Sequence, residues 1–477
     1  MPPSLGIIAD DLSGAGDTGL QFGKRGLRTV VLFERMSRVE DADVVVLDTD
    51  SRQVPAAEAA ARVRLACRHL LALGVDVVYK KVDSTLRGNL GAEVEALLDE
   101  LPGAGALVAP AFPANGRTVV GGRLLLRGVP LEATEFASDP LWPARSSRVA
   151  DALARQSRRR VAEIGLEVVR RGYGAIAAEA EALRAAGADV CVADAETPAD
   201  LAEIARAVVR AGDRWVPVGS AGLAEELPGA LELGKSSELN PLAPFPDGEG
   251  GALPSAPPFP RGEGGPGGLG PGLPVLVVVG SVNPVSRRQL ETLVGEAGLV
   301  AVQLDVRPLL AGGAEVAGET GRAVEAARAA LLSGSDAALS LEAGGPASEL
   351  LAGVGALGLE PGEASARLVS ALGRVAALLL GAYPGDALPV VPQDVGRVGE
   401  GVVLAGVALT GGDTARGVCR ALGAHGVVVE REVRPGIPQG RLLGGARAGM
   451  PVVTKAGGFG GPDALVEAVR FLRRVTT

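Results

Sequence analysis

Val75-Asp76-Val77-Val78-Tyr79-Lys80-Lys81-Val82-Asp83-Ser84-Thr85-Leu86-Arg87-Gly88-Asn89-Leu90-Gly91 runs from an apolar segment through a dense polar turn towards a second apolar segment. The pattern predicts a strand over Val75 to Tyr79 and a helix over Gly91 to Leu101. Between them, Lys80 to Asn89 carries two ammonium groups, a carboxylate, two hydroxyls, a guanidinium and an amide. A core has no use for so many polar groups at a strand end. A pocket for a small, oxygen-rich anion does: Arg offers a planar fork that matches a carboxylate, and Lys offers a point charge. The plainer reading is a surface pair between Asp83 and Arg87 with Ser84 as a helix cap. The density of polar groups favours the pocket, with Lys80, Lys81, Ser84 and Arg87 as ligand contacts.

The same strand–turn–helix pattern recurs along the chain. Short β-branched runs lie at Leu5 to Ala9, Thr29 to Phe33, Val44 to Leu47, Ala106 to Ala109, Val275 to Val279, Val402 to Leu409 and Val427 to Val429. Continuous apolar runs mark strands buried on both faces, and their alternation with helices marks parallel sheets. The predicted class is therefore α/β. At 477 residues the chain exceeds one core. Lys235 to Pro274 is dominated by Pro, Gly and Ser, and within it PFPDGEGG (Pro244 to Gly251) recurs as PFPRGEGG (Pro258 to Gly265). Such a stretch cannot build a core and reads as a linker or insertion. The expected domains are 1–234 and 274–477, joined by 235–273, each a mostly parallel sheet flanked by helices. Ligands in such sheets bind beyond the carboxyl ends of the strands, and the active site is expected in the cleft between the two domains.

Composition narrows the function. Hydrophobic residues make up 47%, aromatic residues only 3%, and the formal net charge is -9. That balance argues against a nucleic-acid partner, whose affinity rests on Lys and Arg meeting phosphates. Cys67, Cys191 and Cys419 follow no metal or redox spacing, and with only His69 and His425 a His-based metal centre or triad is poorly supplied. The start MPPSLGIIADD lacks a basic n-region and a long apolar h-region, and no apolar run is long enough to span a bilayer. A cytoplasmic protein without membrane partners is expected, and a homo-oligomer is compatible with the chain.

Further polar clusters close other predicted strands. Asp10 and Asp11 open Asp10-Asp11-Leu12-Ser13-Gly14-Ala15-Gly16-Asp17-Thr18-Gly19. Gly14, Gly16 and Gly19 match G-x-G-x-x-G, and Glu34 stands where a ribose-binding acid would, as in an NAD-dependent dehydrogenase. Three carboxylates in that loop would repel a pyrophosphate. Asp10 and Asp11 are better suited to accept hydrogen bonds, and a proton, from substrate hydroxyls; either alone could instead cap the helix. Asn115, Arg117 and Thr118 sit in a Pro-stiffened loop after another strand. Gly219-Ser220-Ala221-Gly222 and Gly280-Ser281-Val282-Asn283 each precede a helix, whose free N–H groups favour anions. Thr410-Gly411-Gly412-Asp413-Thr414 joins a buried strand to a helix expected over Ala415 to Leu422. Its glycines admit phosphates closely, and Asp413 could hold Mg²⁺. A second loop, Lys455-Ala456-Gly457-Gly458-Phe459-Gly460-Gly461, follows. Each loop alone reads as a strand–helix turn; together they suit a nucleotide.

In order, ADDLSGAGDTG, KKVDSTLRGNLGAEVEALL, APAFPANGRTVVGGRLLLRGVPLEATEFASDP, GSVNPVSRRQ, LTGGDTARG and KAGGFG resemble the four-carbon acid sugar kinases, from about residue 5 to about residue 472. The resemblance implies an N-terminal sugar-acid domain, a C-terminal ATP domain, and phosphorylation of threonate, erythronate or a 3-oxo-tetronate at its 4-hydroxyl. By motif it makes Ser281, Gly411, Gly412, Asp413, Thr414 and Gly457 the ATP contacts, with Mg²⁺ near Asp413. Family members often carry Glu at Asp413, Thr at Ser13 and Ser-Gly-Asn at Ala456-Gly457-Gly458. The roles expected on this reading put Arg87, with Lys80 or Lys81, on the substrate carboxylate, Asn115 and Arg117 beside it, and Asp10, Asp11 or Asp83 as the proton acceptor. The competing readings are the dehydrogenase and a sugar-acid-binding protein without catalysis.

Overall fold

The computed structural model describes residues 3–33, 36, 39, 41–138, 143–233, 272–281, 283–296, 299–342, 354, 357–382 and 402–476. Glu34, and residues 235–271 of the expected linker, lie outside the described residues. The chain divides into two compact units, residues 1–242 and 243–477.

The first unit holds a wholly parallel sheet in the order β2-β3-β1-β4-β11-β5-β10-β9. Its strands are β1 (Leu5–Ala9), β2 (Thr29–Leu32), β3 (Val44–Asp48), β4 (Val77–Lys81), β5 (Gly105–Ala109), β9 (Val161–Ile164), β10 (Val190–Ala193) and β11 (Trp215–Gly219). β1, β3, β5 and β11 are buried along their whole length, as β-branched runs covered on both faces must be. β4 both starts and ends two residues later than expected, and the later end puts Lys80 and Lys81 inside the sheet, opposite Val218 and Gly219 of β11. The sheet accepts Lys80 there because a carboxylate meets its ammonium in the interior (below). The helix after β4 spans Leu90–Glu100. A small antiparallel sheet, β6 (Arg117–Val120), β7 (Arg123–Leu126) and β8 (Val129–Pro130), follows β5. Gly121 and Gly122 turn its first hairpin at φ 59° and 71°, and their N–H groups donate to Asp194 at 2.7 and 2.9 Å.

The second unit is ordered β13-β14-β12-β15-β18-β17-β16. β12 (Val275–Val279), β13 (Leu299–Asp305), β14 (Asp336–Glu342), β15 (Gly406–Thr410) and β18 (Pro451–Lys455) run parallel. β16 (Gly426–Arg434) and β17 (Ile437–Leu443) run antiparallel. Val427 to Val429 is thus part of a longer hairpin strand, returned by Pro435-Gly436 with Gly436 at φ 78°. The helix after β15 begins at Gly412, earlier than expected, and takes Asp413 and Thr414 into its first turn.

Cys67, Cys191 and Cys419 are free and buried, and burial pushes their thiols up to about 11, 12 and 12. No helix among the described residues is long and apolar enough to cross a membrane.

Candidate active site

In the first unit the polar residues collect at the carboxyl ends of β1, β3 and β4. Asp11 caps the helix Leu12–Gly23, accepting from the Gly14 N–H at 2.9 Å. A Cβ at Gly14 would lie 2.6 Å from Asp11 Oδ1 and 2.8 Å from Lys81 Nζ. The glycine therefore serves a close approach of carboxylate and ammonium, a different task from admitting a pyrophosphate.

The centre of the cluster is Arg52, a residue not singled out from the sequence. Its Nη1 and Nη2 donate to Asp11 Oδ2 and Oδ1 at 2.8 and 2.7 Å, and its Nε donates to Asp10 Oδ2 at 2.6 Å. The loop that carries it is pinned to β1, with the Ser51 and Arg52 N–H groups donating to the Asp10 carbonyl at 3.0 and 3.2 Å. Asp10 is buried, and among the described residues its Oδ1 has no hydrogen-bond partner. The signal for Arg52 was available: Asp48-Thr49-Asp50-Ser51-Arg52 is a polar run at a strand end, as Lys80 to Asn89 is.

Lys80 turns inward. Its Nζ lies 2.8 Å from Glu93 Oε2 and donates to the Lys81 carbonyl at 2.6 Å. Ser51 Oγ donates to the other Glu93 oxygen at 2.6 Å. The pair is fully buried, so Lys80 braces the floor of the pocket from beneath. Lys81 is the ammonium on the side of Gly14 and Asp11. Asp83 accepts from Arg87 Nε at 2.8 Å and from the Thr85 hydroxyl, and the Arg87 guanidinium stacks 5.5 Å from the Phe136 ring centroid. Arg117 Nη1 donates to Ser84 Oγ at 2.7 Å. Asn115 closes a 3-10 turn (Pro113–Asn115), and its buried Nδ2 has no partner among the described residues. Asn89 is structural: its Nδ2 donates to the Ser51 and Val54 carbonyls at 2.9 and 2.8 Å. Ser220 caps its own helix and donates to the Ala111 carbonyl at 2.7 Å, a packing role.

These charges separate the carboxylates. Burial opposes ionisation of Asp10, but Arg52, Lys81 and Lys80 outweigh it and hold its pKa below the ordinary range. Burial, with the neighbouring charges of Asp10 and Asp83, raises Asp11 against the pull of Arg52. Asp83 is also buried, yet Arg87 and Arg52 hold it well below the usual carboxylate value. Carboxylates driven apart in this way are suited to different tasks.

In the second unit, three loops leave the carboxyl ends of the adjacent strands β12, β15 and β18, where Val279 pairs with Thr410 and Thr410 with Lys455. Gly411 adopts φ 99°, a conformation that favours glycine. A Cβ at Gly280 would lie 2.1 Å from Thr414 Oγ1, and one at Gly457 would lie 2.3 Å from Ser281 Oγ. Ser281, Thr414 and the two glycine loops are thus gathered at one place. The helix that begins at Gly412 adds an N-terminus, whose N–H groups favour an anion. This backbone-rich, small-residue cradle fits a nucleotide phosphate chain. Among the described residues no three His, Cys, Asp or Glu side chains converge on a metal position. Asp413 lies in the first turn of the helix that follows Gly411.

Comparison with known proteins agrees with this division. A family model described as a sugar-binding N-terminal domain matches residues 5–227. One described as a nucleotide-binding C-terminal domain matches residues 276–391 and 390–465. The chain is 35% identical to a D-threonate kinase of Salmonella typhimurium over 98% of both chains. It is 32% identical to a D-erythronate kinase of Heliobacterium modesticaldum, covering 98% of this chain and 96% of that one. It is also 32% identical to a 3-oxo-tetronate kinase of Methylobacterium radiotolerans, covering 97% and 98%.

Proposed function

The chain belongs to the four-carbon acid sugar kinase family, and on that premise we propose that it transfers the γ-phosphoryl group of ATP to the 4-hydroxyl of a tetronate: threonate, erythronate or 3-oxo-tetronate. One observation carries the reading beyond resemblance. Within one chain, a strand-end pocket of buried cations and carboxylates accompanies a strand-end cradle of glycines and hydroxyls. Neither the dehydrogenase nor the binding-protein reading accounts for both.

In this proposal Arg87, Lys81 and Arg117 receive the substrate carboxylate, with Ser84 and Asn115 hydrogen-bonding the acid beside them. Lys80 holds the pocket floor through Glu93. Asp83 orients the Arg87 guanidinium. Asp10 presents its unengaged Oδ1 to the 4-hydroxyl and takes its proton as the new O–P bond forms and the bond to the ADP oxygen breaks. Asp11 fixes Arg52, and Arg52 fixes Asp10. Phosphoryl transfer asks for alignment and charge neutralisation more than covalent help, so a carboxylate of low pKa serves. Ser281, Gly411, Gly412, Thr414 and Gly457 would hold the ATP phosphates, and Asp413 the Mg²⁺. When bound, Mg²⁺ would neutralise phosphate charge.

Phosphorus NMR of the products, after incubation with ATP, Mg²⁺ and each tetronate, tests the regiochemistry. A phosphate on the terminal CH₂ gives a proton-coupled triplet, the expected result. A doublet would place the ester on a secondary carbon and refute the 4-hydroxyl assignment.

A further inference from the structure

Lys455 ends β18 almost wholly buried, at 2% exposure. Among the described residues no carboxylate pairs with it. Its Nζ donates instead to three backbone carbonyls of the loop that follows: Ala456 at 2.7 Å, Gly457 at 3.4 Å and Phe459 at 3.1 Å. Its own carbonyl accepts the Gly411 N–H at 2.8 Å. One residue therefore grips both glycine loops, one through its side chain and the other through its backbone. An ammonium has three N–H donors, and here three carbonyls receive them.

The helix Pro284–Val294 grips the same loop from outside. Ser286 Oγ donates to the Gly457 carbonyl at 2.7 Å. Gln289 Nε2 reaches the carbonyls of Phe459, Gly460 and Gly461 at 2.9, 3.1 and 2.9 Å. With its carbonyls turned towards Lys455, Ser286 and Gln289, the loop is held in one shape, with Gly457 against Ser281. Burying an ammonium without a counter-charge is costly, and burial pushes Lys455 down to about 7. An aliphatic side chain would fill the same core position at lower cost. A hydrogen-bond donor placed there has a task that an aliphatic side chain could not perform.

We infer that Lys455 is a positioning residue for nucleotide binding: it fixes the Ala456–Phe459 loop and, through Gly411, the loop opposite, so that both present their backbone to the phosphates. The inference rests on the nucleotide reading of this cradle. It assigns Lys455 no contact with ATP and no part in binding the sugar acid.

The test compares Lys455→Met and Lys455→Gln with the wild type by thermal melting, by calorimetric titration with MgATP, and by KM for each substrate. Met removes all three bonds at similar volume, and Gln keeps a neutral donor. For Met, ATP affinity should fall about tenfold or more and KM for ATP should rise in step, with KM for the acid within about twofold. Gln should fall between Met and wild type. If Met does not fold, the Gln comparison decides. Unchanged ATP affinity in a folded variant, or an equal rise in both KM values, overturns the inference. Calorimetry separates the two levels. A wild type that binds no ATP defeats the nucleotide reading itself; a wild type that binds ATP beside an unaffected variant defeats only the role of Lys455.

Discussion

Arg52 holds Asp11 by both carboxylate oxygens, at 2.8 and 2.7 Å, and with the same guanidinium reaches Asp10 at 2.6 Å. A planar fork is needed to hold two adjacent carboxylates at once; an ammonium cannot reproduce it. Arg52→Lys keeps the charge and loses the geometry. The expected result is a loss in kcat/KM on the order of 100-fold, with MgATP affinity unchanged. Steady-state kinetics with calorimetric titration reads this, and near-wild-type turnover would remove Arg52 from the machinery.

Asp10 and Arg87 should separate kinetically. Asp10→Asn removes the proton acceptor and should lower kcat by about 100-fold or more, with little change in KM for the acid. Arg87→Ala removes a charge-assisted contact and should raise that KM by roughly tenfold or more. An Asp10→Asn variant with wild-type kcat moves the base to Asp11 or Asp83. An unchanged KM in Arg87→Ala dismisses its carboxylate role.

Gly280→Ala should act on ATP alone. The added methyl would stand 2.1 Å from Thr414 Oγ1, so the Thr414 hydroxyl must move. An increase in KM for ATP of about tenfold is expected, with KM for the acid unaffected. Equal increases in both would place Gly280 in general packing.

Asp83 gives a pH signature. Its folded-state pKa lies well below the ordinary value: burial opposes ionisation, but Arg87 and Arg52 outweigh it. Its contribution to stability is therefore complete above the ordinary carboxylate range and is lost as the pH falls through its folded-state pKa. Thermal melts of wild type and Asp83→Asn should differ most near pH 7, and the gap should narrow as the pH falls below the ordinary carboxylate value. A constant gap would show that Asp83 titrates at its ordinary value.

Much of this was legible in the residues. Buried β-branched runs such as Val275 to Val279 announce their strands because nothing else buries so many branched side chains in so few residues. The loops at Asp10, Asp83 and Asp413 were legible because polar density at a strand end has few other uses. A strand ended at Tyr79 leaves Lys80 in the turn, and only Glu93, thirteen residues on, shows that its charge is accommodated inside the sheet. The hairpin of β16 and β17 was missed because Glu430, Arg431, Glu432 and Arg434 dilute its apolar pattern. Arg52 and Lys455 depend on partners brought together by the fold, Asp10 and Asp11 for one and the carbonyls of its own loop for the other. The Arg52 contacts span some forty residues of chain, and those of Lys455, though local, depend on the fold of a loop whose glycines permit many shapes.

The central claim is ATP-dependent phosphorylation of a four-carbon sugar acid, and ADP release across a panel of such acids tests it most directly. The account predicts release that requires both MgATP and one of threonate, erythronate or 3-oxo-tetronate, and that falls in Arg52→Lys and Gly280→Ala. No release above the acid-free background with any member, from folded protein, would contradict it.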